Sequence, residues 1–77
     1  MSIKVRYFAS LKESVGRSED ELHVTDALAV HAVWQRLNPD FAMPDAVLAA
    51  VNMDYVALDA LVTDGDVLAF FPPITGG

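Results

Sequence analysis

The residues with the clearest chemical potential are Gly76 and Gly77, the last two of the sequence. Glycine has no Cβ, so a Gly-Gly segment can thread a channel too narrow for any other dipeptide. A carboxylate on the final glycine can be activated by ATP as an acyl-adenylate and then attacked by a sulfur or amine nucleophile. The stretch Pro72-Pro73-Ile74-Thr75-Gly76-Gly77 makes an arm of roughly 20 Å at ~3.3 Å per residue. Pro72 and Pro73 stiffen its base, so less entropy is lost when it inserts into a partner. Taken alone, such an end reads equally well as a frayed terminus.

Other candidates have simpler explanations. The chain has no cysteine, so it offers no thiolate, no disulfide framework and no Cys-rich zinc cluster. His23 and His31 fall in a strand pattern and a helix pattern, and neither belongs to a motif that names a base or a metal ligand. Glu19-Asp20-Glu21 reads as a charged strand edge that discourages unwanted pairing. Asp64-Gly65-Asp66 is a turn signal, and turn chemistry accounts for both aspartates. Trp34 and Leu37 belong to an apolar helix stripe and read as core.

The elements that must carry the arm follow from periodicity. Residues 2–9 alternate, with Ile3, Val5 and Tyr7 on one face and Lys4, Arg6 and Phe8 on the other. Residues 11–18 are mostly polar, include Gly16 and have room for one short helical turn. A second strand over 19–24 sets Leu22 and Val24 on one face with His23 opposite, close enough to the first to form a hairpin with a wide loop. Thr25 or Asp26 is suited to cap a helix whose stripe is Ala27, Val30, Val33, Trp34 and Leu37. Pro39 stops that helix just after Asn38. Met43-Pro44-Asp45 reads as loop, 47–51 as a buried strand and 55–58 as a short one. The last strand covers 67–71, and Pro72-Pro73 ends its pairing because neither residue has an amide hydrogen.

This order predicts an α+β fold in which one sheet wraps one main helix. In the last strand Leu68 and Phe70 share one face, while Val67, Ala69 and Phe71 share the other. Both faces are apolar, yet one helix covers only one of them. The second, with Phe71 and Phe8, is left for another protein.

Composition sets the outer limits. Seventy-seven residues make one domain, 1–77, with 72–77 as a flexible tail. The apolar fraction of 53% exceeds what so small an interior can hold, which points to a contiguous exposed patch and a partner. A net charge of −6 excludes nucleic-acid backbones and anionic membranes as natural ligands. The apolar runs at 46–51 and 67–71 are too short to span a bilayer, and the opening residues lack a signal peptide's apolar block. The expectation is a cytoplasmic protein, intact from its first residue.

The residues Leu48-Ala49-Ala50-Val51-Asn52, Asp64-Gly65-Asp66 and Ala69-Phe70-Phe71-Pro72-Pro73-Ile74-Thr75-Gly76-Gly77 together resemble the small, sulfur-carrying subunit of the molybdopterin synthase family. So do Ile3-Lys4-Val5, Tyr7-Phe8-Ala9, Leu11-Lys12-Glu13 and Gly16. The resemblance runs end to end, except over 18–43, where only the helix pattern matches. The specific element is the combination of Asp-Gly-Asp, Phe-Pro-Pro and a final Gly-Gly at fixed spacing. Val67 stands where the family commonly has an acidic residue, Lys12 where it often has arginine, and Tyr55 where it is commonly aliphatic.

The resemblance implies a β-grasp (ubiquitin-like) fold with no bound cofactor and no metal. It implies a carrier rather than an enzyme, with ATP used by a partner adenylyltransferase related to ubiquitin-activating enzymes. Gly77 would be adenylated and then converted to a thiocarboxylate by a sulfurtransferase system, with Gly76 threading the channel beside it. The large synthase subunit, the second implied partner, would hold the catalytic residues. There sulfur would pass to cyclic pyranopterin monophosphate in molybdenum cofactor biosynthesis, within a heterotetramer. Phe8, Phe71, Tyr55, Pro72 and Pro73 are the implied partner contacts. Alternatives are a β-grasp carrier for thiamine thiazole or tRNA thiolation, a ubiquitin-like protein modifier, and an interaction domain with an inert tail.

Overall fold

The computed structural model describes residues 1–73. The first strand, β1 (Ser2–Tyr7), alternates as its sequence predicts, with Ile3, Val5 and Tyr7 buried and Lys4 and Arg6 exposed. A single short helix, α1 (Ser10–Val15), ends at Gly16, whose left-handed backbone (φ 84°) lets its amide donate to the Lys12 carbonyl at 2.9 Å. Strand β2 (Glu19–His23) returns antiparallel to β1, with Ile3 opposite Leu22 and Val5 opposite Asp20.

The main helix, α2 (Val30–Leu37), starts later than its periodicity predicts. Neither Thr25 nor Asp26 caps it, and Ala27 is exposed rather than part of the buried stripe. The cause is a pairing that local sequence does not announce. Leu28 and Ala29 form a two-residue strand, β3 (Leu28–Ala29), antiparallel to a second short strand some thirty residues on. The loop before that second strand then satisfies the helix's first free amides. Val30 N–H donates to the Ala60 carbonyl at 2.9 Å, and His31 N–H to the Leu58 carbonyl at 3.0 Å. Backbone carbonyls replace the side-chain cap. The far end behaves as expected, stopping at Asn38 before Pro39.

Strand β4 (Leu48–Val51) joins β5 (Asp54–Val56) through a two-residue turn, in which Asn52 and Met53 have φ values of 50° and 76°. Two positive φ angles in a two-residue loop match the twist of an antiparallel hairpin. The short strand expected at 55–58 is displaced to β5, because the chain beyond Val56 turns away to cap α2. Strand β6 (Leu61–Val62) pairs with β3, and β7 (Val67–Phe71) follows the turn at Asp64-Gly65-Asp66. Gly65 occupies that turn at φ 90°. Asp66 does take part in turn chemistry, accepting from Thr63 N–H at 2.9 Å. Asp64 reaches further, accepting from the Ser2 amide at 2.6 Å and so tying the turn to the start of β1.

The main sheet runs β2-β1-β7-β4-β5, with β1 and β7 parallel and every other pair antiparallel. It is the ubiquitin-like β-grasp arrangement, in which the first and last strands lie side by side at the centre. Its inner face presents Ile3, Val5, Tyr7, Leu68, Phe70 and Ala49 to Val30, Val33 and Trp34 of α2. Trp34 meets Phe70 edge-on at 5.0 Å between centroids and Tyr7 edge-on at 5.7 Å. Its indole N–H is not left bare in the core, for it donates to the Phe41 carbonyl at 2.8 Å.

Candidate functional site

The last strand is the centre of the sheet, held by β1 on one side and β4 on the other. Its ladder ends at Phe71, opposite Leu48, and the chain leaves the sheet through Pro72 and Pro73. A rigid central strand therefore delivers the chain directly into its final segment. Beside the exit, Phe8 is held at both ends. Its N–H donates to the Phe70 carbonyl, and its own carbonyl accepts from Leu11 N–H, each at 3.1 Å. The second bond closes a turn whose first central residue, Ala9, has φ 52° and ψ −130°. Those angles are near the type II′ geometry that glycine ordinarily supplies, so an L-alanine there is strained.

On the sheet's outer face the register aligns residues in cross-strand rows. One row runs Glu19, Arg6, Ala69, Ala50 and Tyr55 across β2, β1, β7, β4 and β5. Next to it Phe8 stacks on Phe71, with centroids 4.7 Å apart and planes 10° from parallel, and Tyr55 approaches Phe71 at 6.1 Å. Phe8, Val67, Tyr55 and Met53 are 37%, 38%, 69% and 95% exposed. With Arg6 and Ala69, Met53, Val67 and Phe8 edge a shallow, largely apolar trough. Apolar side chains held open to solvent on a rigid sheet are what a protein partner uses.

Beneath the sheet a polar group braces the fold. Tyr7 Oη donates to Asp20 Oδ2 and accepts from Asn38 Nδ2, both at 3.1 Å. Arg17 donates from Nε to Asp20 Oδ2 at 2.7 Å and from Nη2 to Asn38 Oδ1 at 2.6 Å. The bonds tie β1, β2 and the end of α2 into one unit. Burial pushes the Tyr7 hydroxyl above its ordinary pKa despite opposing hydrogen bonds from Asn38 and Arg17. Asp20 is thus more than part of a charged edge, although β2 is an edge strand and Glu19 stays exposed. Glu21 accepts from Ser2 Oγ at 2.5 Å, which holds its carboxyl below the usual range.

The structure brings Phe8, Phe71 and Tyr55 together on one surface and sets Pro72 at its margin, with Pro73 following. Gly76 and Gly77, with the tail assigned to 72–77, lie wholly or in part outside the described residues. His23 and His31 are both exposed. Among the described residues no cluster of three or more histidine, cysteine or acidic side chains is arranged to hold a metal, and no helix is long and apolar enough to cross a membrane. Sequence reasoning assigned no partner role to Arg6, Val67 or Met53. For Arg6 and Val67 the signal was present, since strand alternation places them beside Phe8 and Phe71. Met53 becomes visible only with its turn.

The sequence profile of the ThiS family matches residues 5–77. The chain belongs to the ThiS family. Within it the chain is 42% identical over 80 residues to the molybdopterin synthase sulfur carrier subunit of Escherichia coli K12, covering 97% of this chain and 99% of that protein. It is 31% identical, with the same coverage, to the subunit of that name from Haemophilus influenzae. The resemblance read from the Asp-Gly-Asp, Phe-Pro-Pro and Gly-Gly motifs is therefore upheld. Among solved structures, that of SAMP1 from Haloferax volcanii superposes with a TM-score of 0.80 at 26% identity, with all of both chains covered. The ThiS-family membership and the β-grasp topology agree with each other.

Proposed function

We propose that this ThiS-family protein is the sulfur carrier of molybdopterin synthase, acting through the carboxylate of Gly77. The observation that carries the reading is the course of β7. It is the central strand, it presents Phe71 on an exposed aromatic face, and it ends at Pro72-Pro73, four residues in the sequence before the last glycine, Gly77. A partner that docks on the face meets Pro72 and Pro73, the base of the tail, at a fixed place, and orientation of this kind is a large part of any rate enhancement. The sulfur carrier subunits to which the chain is similar support the same assignment.

In the proposed cycle an adenylyltransferase related to ubiquitin-activating enzymes binds the domain. The Gly77 carboxylate attacks the α-phosphorus of ATP, forming an acyl-adenylate and releasing pyrophosphate. The terminal sulfur of a persulfide on a sulfurtransferase then displaces AMP at the carbonyl carbon, giving an acyl disulfide. A thiol next attacks the donor's own sulfur, forming a disulfide with it and releasing the thiocarboxylate. No cysteine in the chain competes for the sulfur. The loaded arm enters the large synthase subunit, where that subunit's residues transfer sulfur to cyclic pyranopterin monophosphate. The small subunit supplies position and cargo, not acid–base groups, and binds no cofactor of its own.

The test is the intact mass after incubation with ATP, an adenylating enzyme and a sulfur donor. The expected result is the exchange of one oxygen for sulfur, abolished by deleting Gly77 and reversed by the large subunit with its pterin substrate. A 27% identity to small archaeal modifier protein 3 of Haloferax volcanii favours a second reading, a modifier joined through Gly77 to lysines. Isopeptide conjugates with no stable thiocarboxylate would establish that reading instead.

A further inference from the structure

Charge is unevenly distributed over this molecule. It carries 11 acidic residues against 5 lysines and arginines. Yet the outer face of the three central strands holds no carboxylate. Residues Lys4, Arg6 and Phe8 come from the β1 side, Val67, Ala69 and Phe71 from β7, and Leu48 and Ala50 from β4. Lys4 stands at the far end of the face from the Phe8–Phe71 stack, whereas Arg6 lies beside it. The Arg6 guanidinium sits 5.8 Å from the centroid of the Phe8 ring and lines the apolar trough with Val67 and Met53.

Arg6 has no ionic partner among the described residues, where Arg17–Asp20 is the one salt bridge. Glu19 is its cross-strand neighbour but makes no such contact, and Glu21 is engaged by Ser2. A partner seated on Phe8, Phe71 and Tyr55 would strip water from this guanidinium. A desolvated charge with no counter-charge opposes binding, so the complex needs a carboxylate at that point.

We infer that Arg6 is a specificity-determining residue of the docking face, and that the surface it fits is apolar with a carboxylate directed at the Arg6 guanidinium. The occupant is the large synthase subunit, so the inference rests on the proposed function. The excess negative charge of the chain argues against a second copy as occupant. Arginine suits the task because its planar fork binds a carboxylate through two hydrogen bonds while its face rests on an aromatic ring.

The experiment measures the Kd of the large subunit from the same organism by calorimetry, over a series of NaCl concentrations. The proteins compared are wild type, Arg6→Gln and Glu19→Gln, with thermal unfolding of each variant confirming that it is folded. Arg6→Gln is expected to weaken binding roughly thirtyfold or more and to flatten its salt dependence, while Glu19→Gln binds like wild type. Binding of Arg6→Gln within twofold of wild type, with an unchanged salt slope, overturns the inference and leaves the carrier function standing. Equal weakening by Glu19→Gln also overturns it, since Arg6 would then find its carboxylate within the chain. Failure of the wild type itself to bind removes the synthase reading and the inference with it.

Discussion

Ala9→Gly should make the protein more stable, although the substitution removes a side-chain carbon and adds backbone freedom. Ala9 sits at φ 52° and ψ −130°, in a turn closed by the 3.1 Å bond from Leu11 N–H to the Phe8 carbonyl. Holding a non-glycine residue in such a sparsely populated region costs about 1–3 kcal/mol. Glycine removes that strain at a cost of about 0.5–1 kcal/mol in unfolded-state entropy. Ala9 is exposed, so little buried apolar area is lost. The balance is about 1 kcal/mol in favour of glycine, which for a domain of this size raises Tm by roughly 4–8 °C. Urea unfolding followed by circular dichroism should show a higher midpoint at unchanged slope. Ala9→Val should move the midpoint the other way, because a β-branched side chain tolerates positive φ least. A lower midpoint for Ala9→Gly, or Ala9→Val as stable as the parent, would refute the assignment of strain to this turn.

Two further outcomes rest on the two faces of the sheet. Phe70 and Phe71 are adjacent but opposed: Phe70→Ala should cost about 3–5 kcal/mol by opening the core against Trp34 and Tyr7, as read by urea unfolding. Phe71→Ala should cost little stability and instead weaken binding of the proposed partner, the large synthase subunit, as read by calorimetry, because it removes the stacking partner of Phe8. Alkaline pH should destabilise the fold through Tyr7. Its pKa is raised on folding from 10.0, so the native state holds the proton more tightly than the unfolded chain. That contribution is intact below about pH 10 and is lost as pH rises through the folded value. Comparing urea midpoints of wild type and Tyr7→Phe across this range should show a descent specific to the wild type.

The sequence disclosed those parts of the fold that depend on neighbours in the chain. Alternation in β1 separated Ile3, Val5 and Tyr7 from Lys4, Arg6 and Phe8, and the two-faced character of β7 marked an apolar outer side before any pairing was known. Pro39 and Pro72 acted where they stood. The start of α2 was not legible, because its amides are satisfied by Leu58 and Ala60 and not by Thr25 or Asp26. Strands of two residues, such as β3 and β6, are too short to carry a period. The Tyr7 hydroxyl's tie to Asn38, 31 residues away, depends on how α2 ends against β1. Arg6 was placed on the correct face, but its lack of an ion partner emerges only from the register with Glu19 and the engagement of Glu21.

The parallel pairing of β1 with β7 also governs when this protein can exist during its own synthesis. A nascent chain that has produced residues 1–62 possesses β2-β1 and β4-β5 but lacks the strand that joins them. The two halves cannot form one sheet, and Trp34 has no Phe70 to pack on. Folding must await the last strand, a long-range closure that is slow and leaves unfinished chains open to proteolysis. Truncated products that end before residue 67 therefore never present the aromatic surface. Such chains offer no Phe8–Phe71 stack to any docking partner, so the fold itself screens out products that lack the last strand.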